Sequence, residues 1–271
     1  DFLAAAARAA IAGETFDLLL AYQPAVDEVQ HTFAVADPRQ AAYSEGMAAT
    51  AERAVNETYL MIDTAVADLA RALDLTSDAL AVVSDHGIAP IWEVVHANEV
   101  LRRAGLAGAV ARGDRQAVSE DSQVVAVTSG GCAHLYVNAV GREPGGVVPP
   151  ERVEAVVEAA AQAFALLEGG GDPVVEAAYP RRDLGALGLD SANAGDLVVF
   201  MRPGVAVTGG IGGATHEPAT YSGQHGFRSH HPEMHGVFMA RGIRPKFAAR
   251  FESKGIRTPD GIFDPRNVVE V

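Results

Sequence analysis

The sequence predicts an α/β fold: a doubly wound α/β/α sandwich of mainly parallel strands, with a small α+β subdomain inserted. Three observations predict it. Short apolar runs, residues 16–22 (FDLLLAY) and 79–83 (ALAVV), end abruptly in polar residues, as buried parallel strands do. Between them, in residues 40–73, Val55, Tyr59, Ile62, Val66, Leu69 and Leu73 recur at steps of three and four, one apolar helical face. Strand, helix and strand in that order make a βαβ unit, whose right-handed crossover brings both strand ends to one edge of the sheet.

In chain order, residues 2–12 form an Ala-rich helix closed by Gly13, followed by the strand at 16–22. The long helix and a turn at Asp74 to Asp78 lead into the strand at 79–83. Residues 94–105 (VVHANEVLRRAG) read as a helix with a Gly stop. From 107 to 215 the pattern changes. Strands at 123–127 and 134–137 flank Thr128-Ser129-Gly130-Gly131, and residues 141–150 are a Gly/Pro-rich loop. Residues 151–168 form an amphipathic helix with Val153, Val156, Val157, Ala160, Phe164 and Leu167 on one face and Pro150 at its start. Strands at 174–178 and 196–201 complete the insert. The predicted division is therefore a core of residues 1–106 and 216–271 around a subdomain of residues 107–215. Residues 208–223 (TGGIGGATHEPATYSG) read as a mobile loop without phosphate-loop spacing, and 237–241 as a last strand.

The bulk chemistry narrows the function. The 271 residues are 48% hydrophobic and 21% charged, an ordinary globular composition. A formal net charge of -14 offers no basic surface to a polyanion, so nucleic-acid scaffold binding is not expected. Cys132 is the only cysteine, which excludes an intrachain disulfide and a cysteine zinc knuckle, and reads as a small buried residue. No apolar run approaches the roughly 20 residues that span a bilayer, and no signal peptide is visible. Compartment and oligomeric state are not legible. The chain opens at Asp1 without an initiator Met and stops abruptly at Val271, which reads as a fragment of a longer protein.

The candidate chemistry lies at the strand ends. Asp85 and His86 follow the strand at 79–83, where α/β sheets place ligands. Asp27 and His31 follow the strand at 16–22 and stand four apart, so on a helical turn they share a face. A carboxylate beside an imidazole suits zinc or a similar divalent ion. Each pair alone is equally a capping Asp beside a surface His. Five of the nine histidines lie between 216 and 235, of which one or two are expected as ligands. His134 begins an alternating strand and reads as structural; His216 and Arg228 are candidate substrate contacts.

Three ordered blocks, DLLLAYQPAVDEVQH (17–31), AVVSDHG (81–87) and GQHGF (223–227) followed by PEMHGVFMARG (232–242), resemble the type I phosphodiesterase/nucleotide pyrophosphatase branch of the alkaline phosphatase superfamily. NEVLRRAGL (98–106) and NAGDLVVFMRPG (193–204) resemble its connecting segments, and the likeness covers nearly the whole chain. The resemblance implies an alkaline-phosphatase-like core and two divalent metal ions, usually zinc, about 4 Å apart. It implies that Asp27, His31 and His225 hold one ion and that Asp85 and His86 belong to the other. It further implies hydrolysis of phosphodiester or pyrophosphate bonds in a small phosphate ester. The family's second ion also takes an upstream Asp and the Thr or Ser nucleophile, and neither has a counterpart here. The chain thus resembles the C-terminal part of such an enzyme and is expected to be inactive alone. The alternatives are a phosphonate hydrolase, a sulfatase-like member, or a non-catalytic domain that keeps the fold.

Overall fold

The computed structural model describes residues 2–242 and, for the backbone alone, 257–258 and 261–262. The remainder of the expected 216–271 core segment lies outside the described residues. The elements run α1 (Phe2–Gly13), α2 (Ala25–Phe33), α3 (Glu45–Ala72), β1 (Leu80–Val83), β2 (Ala89–Pro90), β3 (Glu93–His96) and α4 (Ala97–Arg103). They continue with β4 (Ala109–Arg112), β5 (Arg115–Val118), β6 (Val124–Ser129), β7 (Cys132–Val137), α5 (Val153–Ala165), β8 (Glu168–Gly169), β9 (Asp172–Pro173) and β10 (Val175–Pro180). β11 (Leu197–Met201), β12 (Val205–Thr208), β13 (His216–Pro218), β14 (Gly223–Gln224), β15 (Phe238–Arg241), β16 (Arg257–Thr258) and β17 (Gly261–Ile262) follow. The fold is a mixed α/β one. It divides into two compact units, one of residues 1–29, 50–87 and 235–271, the other of residues 30–49 and 88–234.

In the first unit, β1 pairs antiparallel with β15 in the register Leu80↔Arg241 to Val83↔Phe238. Ser84 extends that ladder: its N–H donates to the Val237 carbonyl at 3.0 Å and its hydroxyl accepts from the Val237 N–H at 2.8 Å. Three expectations change here. β1 is a half-exposed strand of an antiparallel pair, with Val83 62% exposed, and not a parallel strand buried on both faces. Residues 16–22 form no strand, and Leu20 and Tyr22 stand exposed. Apolar composition makes a strand only where a neighbour takes up its N–H and C=O groups, and no ladder among the described residues reaches this run. The predicted βαβ unit is therefore absent among the described residues. The long helix is present as Glu45–Ala72, with the Ser44 hydroxyl accepting from the Met47 N–H at 3.1 Å as its cap.

The second unit holds the larger core. An antiparallel sheet runs β10-β11-β7-β6, and a three-stranded sheet runs β12-β3-β13. Val156, Ala160 and Phe164 of α5 are buried in one cluster with Leu135, Val137, Leu197, Val199 and Met201 of the sheet. This is the apolar face read from the sequence, and β6, β7, β10 and β11 stand close to their predicted positions. The sheet order is otherwise. Among the described residues the one parallel strand ladder is β12–β3, so the mainly parallel arrangement is not seen. Two local readings are also corrected. Val94 and Val95 lie in β3, and the helix starts only at Ala97, because β-branched side chains at the centre of a sheet outweigh a helical period over three residues. The expected loop at 208–223 contains β13, an edge strand, which accommodates Pro218 because its outer side needs no N–H.

Candidate metal centre

α2 carries both members of the first predicted pair, so Asp27 and His31 stand one helical turn apart, as their spacing implied. His31 and His225 come together within the second unit, their ring centroids 5.3 Å apart and tilted by 57°. The His31 Nδ1 lies 2.8 Å from the Gly223 carbonyl oxygen. A carbonyl only accepts, so Nδ1 carries the proton and Nε2 keeps its lone pair, the tautomer of a metal-ligating imidazole.

Why α2 and β14 meet so closely follows from two residues that the sequence reading passed over. A Cβ on Gly223 would lie 2.5 Å from the Gln30 carbonyl oxygen and 2.8 Å from the Ala34 Cβ, so only glycine allows this approach. Gln40 then bridges the two elements. Its amide oxygen accepts from the Ala36 and Asp37 N–H groups at 2.8 Å, and its amide nitrogen donates to the Ala34 carbonyl at 2.9 Å and the Ser222 carbonyl at 2.8 Å. The Ser222 N–H in turn donates to the His31 carbonyl at 2.8 Å.

His225 is seated by the turn between β6 and β7. The Gly131 N–H donates to the His225 carbonyl at 2.7 Å. Gly130, at φ +62°, passes so close that a Cβ would sit 2.2 Å from that carbonyl oxygen. The Ser-Gly-Gly turn, which reads from the sequence as an ordinary hairpin connection, is thus the rest on which His225 lies.

Asp85 and His86 follow β1 in the first unit. His86 Nδ1 lies 3.0 Å from the Gly87 carbonyl oxygen and its Nε2 lies 3.6 Å from an Asp85 carboxylate oxygen, with Asp85 largely exposed. Gly236 packs on Ser84, so the Ser of Ser-Asp-His-Gly is tied to the segment that leads into β15.

The other singled-out residues have carboxylate or backbone partners. His216 Nδ1 lies 2.6 Å from Glu93 Oε1, Arg228 donates to Glu176 Oε1 at 2.9 Å, and His134 accepts from the Gly195 N–H at 3.1 Å. Burial pushes the Cys132 thiol up to about 11, which removes it as a nucleophile at neutral pH.

The donor set fits a divalent metal of the zinc type. It offers imidazole nitrogen with its tautomer fixed by a backbone carbonyl, together with carboxylate oxygen. Among the described residues no helix is long and apolar enough to cross a membrane.

The comparisons with known proteins agree on the family. The model of the type I phosphodiesterase/nucleotide pyrophosphatase family matches residues 1–228. Human ectonucleotide pyrophosphatase/phosphodiesterase 5 is similar at 14% identity and TM-score 0.47, over 88% of this chain and 50% of that one. The murine protein is similar at 16% and 0.49 over the same shares. Phosphonoacetate hydrolase from Sinorhizobium meliloti is similar at 18% and 0.42, over 81% of this chain and 45% of that one. The chain spans about half the length of these solved structures. No curated protein matches. With the family model covering most of its length, the chain belongs to the type I phosphodiesterase/nucleotide pyrophosphatase family, within the alkaline phosphatase superfamily.

Proposed function

We propose that this chain carries metal-ligand residues of a hydrolase that cleaves phosphodiester or pyrophosphate bonds in small phosphate esters. The observation that carries the proposal is His31, its Nδ1–H engaged by Gly223 and its ring beside His225. Family membership supplies the reaction class.

Asp27, His31 and His225 would hold one divalent ion, and Asp85 and His86 would contribute to a second, with zinc favoured by mixed imidazole and carboxylate donors. When bound, such ions supply Lewis-acid charge to the oxygens of the phosphoryl group. The chain's own residues set up that chemistry. Gly223 and Gln40 fix the His31 ring, the turn at Gly130-Gly131 fixes His225, and Ser84 fixes the strand end that leads into Asp85 and His86. A formal charge of -14 opposes an anionic substrate, so cations at this site also serve to admit it. A substrate role for His216 or Arg228 would require it to leave Glu93 or Glu176.

The nucleophilic Thr or Ser and one further Asp ligand are assigned to no residue here, and we place them in a longer protein. The doubly wound, mainly parallel core belongs to the same proposal, as the setting in which residues 16–22 and β1 acquire parallel neighbours. By itself the chain is expected to turn over nothing and to hold metal weakly.

Turnover of an aryl phosphodiester by the longer protein tests this. Asp85→Ala and His225→Ala should each abolish it; unchanged turnover in either variant would overturn the assignment. Parallel assays with a phosphonate and a sulfate ester separate the phosphodiesterase reading from its superfamily rivals.

A further inference from the structure

We propose that Glu176, His230 and His231 form an additional metal site, for a divalent ion of the zinc class, that shares no residue with the set described above. All three lie in the second unit. Glu176 is on β10, and the two histidines follow His225 by five and six positions. His231 Nε2 is 2.7 Å from Glu176 Oε2, and His230 Nε2 is 3.5 Å from Glu176 Oε1. The two imidazole rings are 4.1 Å apart between centroids. One ligand atom from each residue lies within 4.8 Å of the other two.

Tetrahedral zinc with bonds of about 2.0–2.2 Å separates its ligand atoms by roughly 3.3–3.5 Å. The His230 contact already has that spacing, and the His231 contact reaches it by opening less than about 1 Å. Two imidazoles and one carboxylate, with a fourth position for water, are a recognised zinc set.

A simple ion pair explains the cluster less well. Arg228 donates to Glu176 Oε1 at 2.9 Å and supplies a full positive charge by itself. The convergence of two further imidazoles on the same carboxylate exceeds what charge balance needs. In a metal site Arg228 has a defined task, since it orients the carboxylate through one oxygen and leaves the other for the ion. Burial alone would raise the Glu176 pKa, but hydrogen bonds from His231 and Arg228 outweigh it and hold the carboxyl below its ordinary range, so the ligand is ionised at neutral pH.

The site would act as a staple. The His231 N–H donates to the Arg228 carbonyl at 3.2 Å, the Met234 N–H donates to the His231 carbonyl at 2.9 Å, and Met234 is buried. An ion on His230 and His231 would tie this turn, which continues from His225, to β10.

Equilibrium dialysis of the chain against zinc alone tests the proposal in a His225→Ala background, which removes a ligand of the other set. The background variant should retain about one zinc per chain. Adding His230→Ala should weaken retention about tenfold or more. His230 is 57% exposed at its side chain, so its truncation leaves the fold intact. Glu176→Gln should act in the same direction. Zinc should also raise the melting temperature of His225→Ala and not that of the double variant with His230→Ala. No zinc on His225→Ala, or equal retention and equal thermal shift after His230→Ala, would overturn the site.

Discussion

The imidazole of His31 and the backbone of Gly223 meet at 2.8 Å through Nδ1 and the carbonyl oxygen, although 192 positions separate them. That contact decides which nitrogen is available for a ligand, and it depends on how closely α2 and β14 approach.

Gly223→Ala tests the approach. Its Cβ would strike the Gln30 carbonyl and Ala34, and relief requires β14 to move off α2. The expected cost is about 1–3 kcal/mol of stability in chemical denaturation. Zinc affinity should fall about 10- to 100-fold, because the group that orients His31 has shifted.

Gln40→Ala removes the bridge without adding bulk. Gln40 is 5% exposed, and its loss strands the Ser222 and Ala34 carbonyls and two N–H groups. Urea denaturation should show a loss of about 1–3 kcal/mol. A neutral result would mean that water takes over these partners.

Gly130→Ala tests the seat of His225. A side chain at φ +62° is strained, and its Cβ would collide with the His225 carbonyl. A stability loss of at least about 1 kcal/mol is expected, with weaker zinc binding at His31 and His225.

Acid stability should depend on Glu99. It is fully buried, and its carboxylate is held by Arg102 at 2.7 and 2.8 Å, by Arg103 at 2.9 Å and by the Gly212 N–H at 2.8 Å. The Arg102 hydrogen bonds lead in lowering its pKa from the ordinary 4.5 to about 2, against the opposing effect of burial. The unfolded chain therefore takes up this proton before the folded one does. The contribution is complete above about pH 4.5 and declines as pH falls toward about 2. Glu99→Gln should flatten the stability profile in that window; an unchanged slope would assign it to other carboxylates.

What the sequence showed and what it hid divide along a physical line. Period and local chemistry were legible: the helix that pairs Asp27 with His31, the face of α5 and the β6–β7 hairpin all follow from residues within a few positions of one another. The ordered blocks also named the family. Pairing was not legible. Residues 16–22 and β1 have strand-like composition, and whether such a run becomes a strand, and in which direction it pairs, depends on partners far along the chain. The groups that support the site were hidden for the same reason. Gln40 and the Gly130-Gly131 turn gain their meaning only from Ser222 and His225, more than 90 positions away.

The most direct test is a zinc titration of the chain followed through the imidazole nitrogens in long-range proton–nitrogen NMR spectra. At saturating zinc, His31 Nε2 should shift to a metal-bound value while Nδ1 remains protonated on the Gly223 carbonyl, and His225 should show a metal-bound nitrogen in step. Unperturbed His31 and His225 nitrogens at saturating zinc would contradict the metal centre.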